Sequence, residues 1–149
     1  MFYKNVVYLT GMVWLLCSSV ITHAQITSFP HTESFDGTAL PTGWTNVYGN
    51  GTTNRTAETP AVGGSPLLAR TGARMARFVA YNSTSITKLV SPQLDLTSLT
   101  NPQLKFYFAN VSWGDDIDIL KVYIRTSATG AWTQLGSAVS TSHPTWTEQ

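Results

Sequence analysis

The chain has 149 residues, of which 42% are hydrophobic and only 11% are charged, and its formal net charge is +1. This length has room for one domain. Without Lys4, which lies in the N-terminal segment described next, eight basic residues (nine minus one) balance eight acidic residues. A balanced chain argues against nucleic acid as a partner, because phosphate binding normally needs a basic surplus.

The first 24 residues predict a secretory signal peptide. Lys4 is followed by an apolar run from Val6 to Leu16, and Ala24 ends a short segment typical of a cleavage site. The alternative, a membrane anchor, is disfavoured because the run falls short of the roughly 20 apolar residues that a span needs. Cleavage would leave residues 25–149 as the mature domain, secreted or on the bacterial cell surface. It would also remove the only cysteine, so the domain must be held together by its core or by a metal.

The first half of the mature chain predicts short strands separated by turns and loops. Residues 29–44 predict a short strand followed by an irregular turn. Residues 46–65 are rich in Gly, Thr and Asn without periodicity, which predicts a long surface loop. Strands are expected at 74–81 and 86–90, with a turn at 82–83 between them.

The region from Gln103 to Ser127 has the clearest strand pattern in the chain. Apolar side chains recur at every second position in two runs, Leu104 to Phe108 and Leu120 to Ile124, so each run predicts a strand with one buried face. The loop between the two runs, residues 113–118, holds three of the eight acidic residues.

Two further strands are expected near the C-terminus. A short Gly-containing turn at 127–130 leads into a return strand at 131–139, and residues 143–149 begin another strand. Six or seven short strands without a helix predict an all-β fold of the β-sandwich or jelly-roll type. Because a sandwich ending there would expose a sheet edge, we expect the natural sequence to continue past Gln149 into the closing strands.

Six segments carry a family resemblance. They are ESFDG (33–37), LPTGW (40–44), LVSPQLDL (89–96), PQLKFYFAN (102–110), DILKVYIRTS (118–127) and AWTQL (131–135). In this order they resemble the cleaved adhesin domains of secreted bacterial proteins of the Bacteroidetes type, which are related to MAM domains and to galactose-binding-like folds. Animal MAM domains carry paired cysteines that are absent here.

The resemblance implies a jelly-roll β-sandwich over residues 25–149 that lacks its last strands. It also implies a non-catalytic extracellular module for adhesion, which binds a glycan or an extracellular protein surface. Such a module would be an accessory domain of a larger secreted or cell-surface protein, with further domains in the same polypeptide.

A structural calcium ion is the expected cofactor, and two places are candidates. The resemblance implies Glu33 and Asp36 as ligands near the first strand. Independently, Asp115, Asp116 and Asp118 lie within four residues, and three carboxylates this close repel one another unless a cation or solvent relieves them. The alternative for these three residues is a solvated turn between strands.

Aromatic residues raise the possibility of sugar binding, because flat apolar rings pack against pyranose rings. The candidate ligand-binding residues are Trp113, Tyr48 and Trp132. Trp44 has the same chemistry, but a place in the core is favoured for it. Trp113, beside a glycine in a loop, is the strongest surface candidate.

Catalysis finds little support in the sequence. The mature chain has two histidines near opposite ends, His31 and His143, and has no nucleophile elbow, metal-ligand histidine pair or cysteine. A glycosidase needs two carboxylates, and Glu33 and Asp115 are a conceivable pair without a pattern that favours them. The alternatives are a secreted glycoside hydrolase or peptidase with catalytic residues beyond 149, and a structural spacer without a ligand.

Overall fold

A computed structural model describes residues 24–48, 68–78, 86–112 and 114–149, with the side chain of Tyr48 left out. These ranges contain eight strands and no helix, so the expected all-β class is confirmed for them. The strands are β1 (Gln25–Ile26), β2 (Thr45–Tyr48), β3 (Thr87–Val90), β4 (Gln93–Leu94), β5 (Tyr107–Asn110), β6 (Leu120–Ile124), β7 (Thr133–Val139) and β8 (His143–Glu148). All but the last residue of the expected signal peptide lies outside the described ranges, within which no helix is suited to crossing a bilayer.

The strands pair as four two-stranded ribbons. β1 and β4 are parallel, whereas β2–β3, β5–β8 and β6–β7 are antiparallel. The predicted hairpin is confirmed as β6–β7, and its turn is closed by the N–H of Gly130, which donates to the carbonyl of Ser127 at 3.2 Å. The two strands with the clearest sequence pattern, β5 and β6, belong to different ribbons.

The two longest ribbons, β5–β8 and β6–β7, each contain an irregularity in the pairing register that lets the strands bend. A step of two residues along β6 matches a step of four along β7, from Leu120↔Val139 to Val122↔Leu135. Gly136 lies in this bulge with a φ of 63°, a conformation that glycine adopts at little cost. A similar shift in β5–β8 accommodates Pro144 in β8, where a proline without an N–H would interrupt a regular ladder.

Phe108 of β5 forms the centre of the small core. It is 7% exposed, and its ring lies 5.0 Å from the His143 ring and 6.1 Å from the Phe106 ring, measured between centroids. The predicted buried face is confirmed at Phe108, and Phe106 is half-buried. The prediction is wrong at Leu104, which is 60% exposed, because the strand begins only at Tyr107.

A second apolar region lies between the β6–β7 hairpin and the segment that leads into β5. It is a cavity of about 210 Å³. Its apolar lining comes from both sides, with Leu104 and Phe106 on one and Leu120, Val122, Leu135 and Val139 on the other. The predicted buried face of β6 is confirmed in part: Leu120 and Val122 are half-buried beside this cavity, whereas Ile124 is 39% exposed and does not line it.

Three predicted elements in the first half need correction. A strand was expected at 74–81, but the described residues of this range form only an isolated bridge at Met75. Residues 29–44 are irregular without the short strand, since Phe35 has a positive φ of 60°. A loop was expected to begin at Asn46. Instead Asn46 pairs with Leu89 of β3 and belongs to strand β2. The strand at 86–90 is confirmed as β3, and the turn expected at 82–83 lies outside the described residues.

Candidate functional site

A loop without regular structure, residues 27–44, positions the side chains of the candidate site. Phe35 adopts a positive φ of 60°, which is uncommon for a residue other than glycine. The Glu33 carboxylate stabilises this conformation, because its Oε1 accepts the N–H of Phe35 at 2.8 Å. The Phe35 ring then packs nearly perpendicular to the Trp44 ring, with centroids 4.8 Å apart. The backbone N–H of Trp44 donates to the carbonyl of Pro41 at 3.0 Å, which fixes the backbone from which the indole projects.

The loop, β1 and the connection before β4 border an open cavity of about 280 Å³, called the Glu33 cavity below. Besides the Trp44 indole, whose N–H is a donor, its described lining has four polar side chains, Gln25, His31, Glu33 and Thr42. The other lining residues are Ala24, Ile26, Pro41, Trp44 and Pro92. The cavity therefore combines an indole ring with several polar groups, a composition typical of sites for small polar ligands.

Gly43 allows the walls of the Glu33 cavity to approach one another. Its φ is 81°, and a Cβ at this position would lie 2.6 Å from the Cβ of Ala24 and 2.9 Å from the Cγ of Pro92. Only glycine fits both the backbone conformation and the space. The expected cleavage after Ala24 would remove one wall residue and place the new amino terminus, Gln25, at the cavity.

Asp36, in the same loop, joins the site to a distant segment. Its Oδ1 accepts the N–H groups of Ala73 and Arg74 at 3.1 and 3.4 Å. Gly72 has a φ of 60°, and a Cβ there would lie 1.8 Å from Asp36 Oδ1. Asp36 is thus packed against the backbone of residues 72–74, which we call the Asp36 clamp.

The segment that contains the Asp36 clamp is also fastened to the β5–β8 ribbon. The indole N–H of Trp146 donates to the carbonyl of Leu68 at 3.0 Å, and the Arg70 guanidinium lies 3.4 Å from the centre of the Tyr107 ring. The Tyr107 hydroxyl donates in turn to the Glu148 carboxylate. Residues 68–74 therefore connect the loop of the candidate site to the ribbon that contains the core.

At the two predicted calcium positions, the described acidic side chains do not form a preformed binding site. Glu33 and Asp36 each use one carboxylate oxygen to accept backbone N–H groups. Asp115, Asp116 and Asp118 are exposed. Across the described ranges, no three acidic, histidine or cysteine side chains are grouped to hold a metal ion. Calcium also takes backbone carbonyls and water as ligands, and its binding at either place stays a prediction.

The predicted ligand-binding aromatic residues do not meet in one place. Trp113 and the side chain of Tyr48 lie outside the description. Trp132 is half-buried, and the Arg125 guanidinium lies 4.5 Å from its ring centre, so a sugar would compete with Arg125 for that face. Trp44, expected in the core, is instead half-buried and lines the Glu33 cavity.

The two histidines have different surroundings. His31 lines the Glu33 cavity. The imidazole of His143 lies against Phe108, and its two nitrogens are within hydrogen-bond distance of the hydroxyls of Thr141 and Thr147, at 3.1 and 3.3 Å. His143 therefore stabilises the β5–β8 ribbon.

No pattern in the sequence directly indicated the Glu33 cavity. Its walls come from β1, the irregular loop and Pro92, and β1 is brought to β4 by only two parallel residue pairs, Gln25↔Gln93 and Ile26↔Leu94. The one usable signal was the segment LPTGW, in which glycine precedes an aromatic residue.

Comparison of the chain with models of protein families, with curated proteins and with solved structures finds no match in any of the three.

Proposed function

We propose that this chain is an extracellular, non-catalytic module that binds carbohydrate through the Glu33 cavity. The observation that carries this proposal is the meeting of the Trp44 indole with the side chains of Gln25, Glu33 and Thr42 around one cavity. A sugar presents an apolar C–H face to an aromatic ring and hydroxyls to carboxylate, amide and hydroxyl groups. The lining offers both kinds of partner.

A jelly-roll β-sandwich is the architecture that we propose for this module. The β6–β7 hairpin lies on one side of the apolar cavity, and Leu104, Phe106 and Gln149, which flank the β5–β8 ribbon, lie on the other. In a sandwich, two sheets turn their apolar faces toward a shared interior. The resemblance to cleaved adhesin domains supports the same arrangement.

Export and the accessory role rest on the sequence. The signal-peptide pattern of residues 1–24, the low charge and the cysteine-free mature chain favour an extracellular module within a larger secreted or cell-surface protein. The lack of a nucleophile or metal-ligand motif in the mature sequence favours binding over hydrolysis. Three other functions compete with this proposal: binding to a protein surface, hydrolysis, and a spacer role without a ligand. The experiment that follows tests the proposal against them.

The experiment is a glycan-array screen of the secreted chain, followed by calorimetric titration of each saccharide that binds. Trp44→Leu removes the indole but keeps apolar bulk, and should weaken binding about tenfold. Tyr123→Leu, which removes a 43% exposed aromatic ring on β6 outside the cavity, is the control and should leave the affinity unchanged.

Melting temperatures of both variants separate lost binding from lost folding. An array without a signal, together with capture of a purified extracellular matrix protein, would move the function to protein binding. Release of reducing sugar or cleavage of a peptide by the purified chain would establish a hydrolase instead.

A further inference from the structure

The electrostatic character of the Glu33 cavity depends on one side chain. Glu33 is the only formally charged residue at pH 7 among the described residues that line it, when histidine is counted as neutral. The basic side chains whose contacts are known lie elsewhere, such as Arg70 over Tyr107 and Arg125 over Trp132. Among the lining side chains, the negative charge that a ligand meets is therefore that of Glu33 alone.

The position of this charge is constrained by the loop. Glu33 is half-buried, and its Oε1 is held by the N–H of Phe35 at 2.8 Å. Within the described ranges its Oε2 accepts no hydrogen bond from the protein. Because the carboxylate is partly withdrawn from water, its interaction with another charge is stronger than it would be at a fully solvated site.

We propose that Glu33 determines the specificity of the cavity, favouring saccharides without acidic groups and rejecting uronic, sialylated and sulfated ones. This inference rests on the proposed carbohydrate-binding function. A carboxylate accepts two hydrogen bonds from neighbouring hydroxyls of a neutral sugar. The same carboxylate repels a ligand carboxylate or sulfate placed in the cavity, and like charges at close range disfavour the complex.

Glu33→Gln is the variant that isolates this effect. Glutamine keeps a side-chain oxygen that accepts the N–H of Phe35, so the loop conformation is retained while the charge is removed. Glu148→Gln is the matched control, since it removes one carboxylate charge outside the cavity and keeps an acceptor for the Tyr107 hydroxyl. The amino group that cleavage would create at Gln25 is common to all three proteins and cancels in the comparison.

The test is an array of paired oligosaccharides that differ by a single sulfate or uronate, with Kd values measured for each pair. Relative to the parent chain, Glu33→Gln should shift the ratio of the two Kd values about tenfold in favour of the acidic member. Glu148→Gln should leave the ratio of the parent chain unchanged.

An unchanged ratio of Kd values in Glu33→Gln, or the same shift in both variants, would overturn the role of Glu33 and leave carbohydrate binding standing. Failure of the parent chain to bind any member of any pair would overturn the proposed function, and this inference with it.

Discussion

Replacement of Gly72 by alanine tests the Asp36 clamp most directly. The added Cβ would lie 1.8 Å from Asp36 Oδ1, so the carboxylate must move away from the N–H groups of Ala73 and Arg74. Gly114 provides a matched control. Its φ of 62° is nearly the same as the 60° of Gly72, but a Cβ at Gly114 meets nothing within 4 Å.

The magnitudes follow from the two environments. An alanine in the left-handed region costs about 1 kcal/mol relative to glycine, and this is the whole effect expected at Gly114. At Gly72 the two hydrogen bonds to Asp36 are lost as well, which adds about 1 to 2 kcal/mol for exposed bonds to a charged acceptor. We therefore expect Gly72→Ala to lower the free energy of unfolding by about 2 to 3 kcal/mol in total.

Urea denaturation followed by tryptophan fluorescence measures these differences, because the chain contains five tryptophans. Combining Gly72→Ala with Asp36→Ala gives a double-mutant cycle. The two losses should be less than additive, since either change alone breaks the same hydrogen bonds. Equal losses for Gly72→Ala and Gly114→Ala, or strict additivity in the cycle, would refute the clamp.

Three further results are expected. Phe108→Ala should lower the free energy of unfolding by about 3 kcal/mol because Phe108 is 7% exposed, whereas Leu104→Ala should cost under about 1 kcal/mol because Leu104 is 60% exposed; similar losses in urea would contradict the assigned core. Hydrogen bonds from the hydroxyl and the N–H of Thr97 hold the pKa of Asp95 below its ordinary value of 3.8, so their stabilisation is present above that pH and disappears as the pH falls through the lowered pKa. Thr97→Ala should therefore lower the melting temperature at neutral pH and have less effect in acid, and a pH-independent difference would argue against it. Excess calcium should raise the melting temperature relative to chelator, and identical melting curves would exclude the predicted calcium ion.

Local chemistry made part of this fold predictable from the sequence. The alternation from Leu120 to Ile124 and the Gly-containing turn at 127–130 predicted the β6–β7 hairpin, since side-chain period and turn type are properties of neighbouring residues. The strand expected at 143–149 was also found, as β8 (His143–Glu148). The predicted buried face of β5 was right at Phe108, where the strand is paired on β8.

The candidate site was far less predictable. Glu33 was recognised as a functional candidate, but for calcium, and Trp44 was assigned to the core. Their common cavity depends on a positive φ at Phe35 and on the close approach that Gly43 permits. Neither feature leaves a periodic pattern in the sequence.

The sequence by itself determined that the described residues form short strands without a helix, because a two-residue repeat of apolar side chains favours a pleated strand over a helix. Only the tertiary structure decided that β5 pairs with β8, that Asp36 is packed against Gly72, and that β1 closes a cavity beside Glu33. These contacts join residues that are far apart in the chain. Their formation depends on which surfaces meet after the strands have paired, a choice that no local propensity specifies.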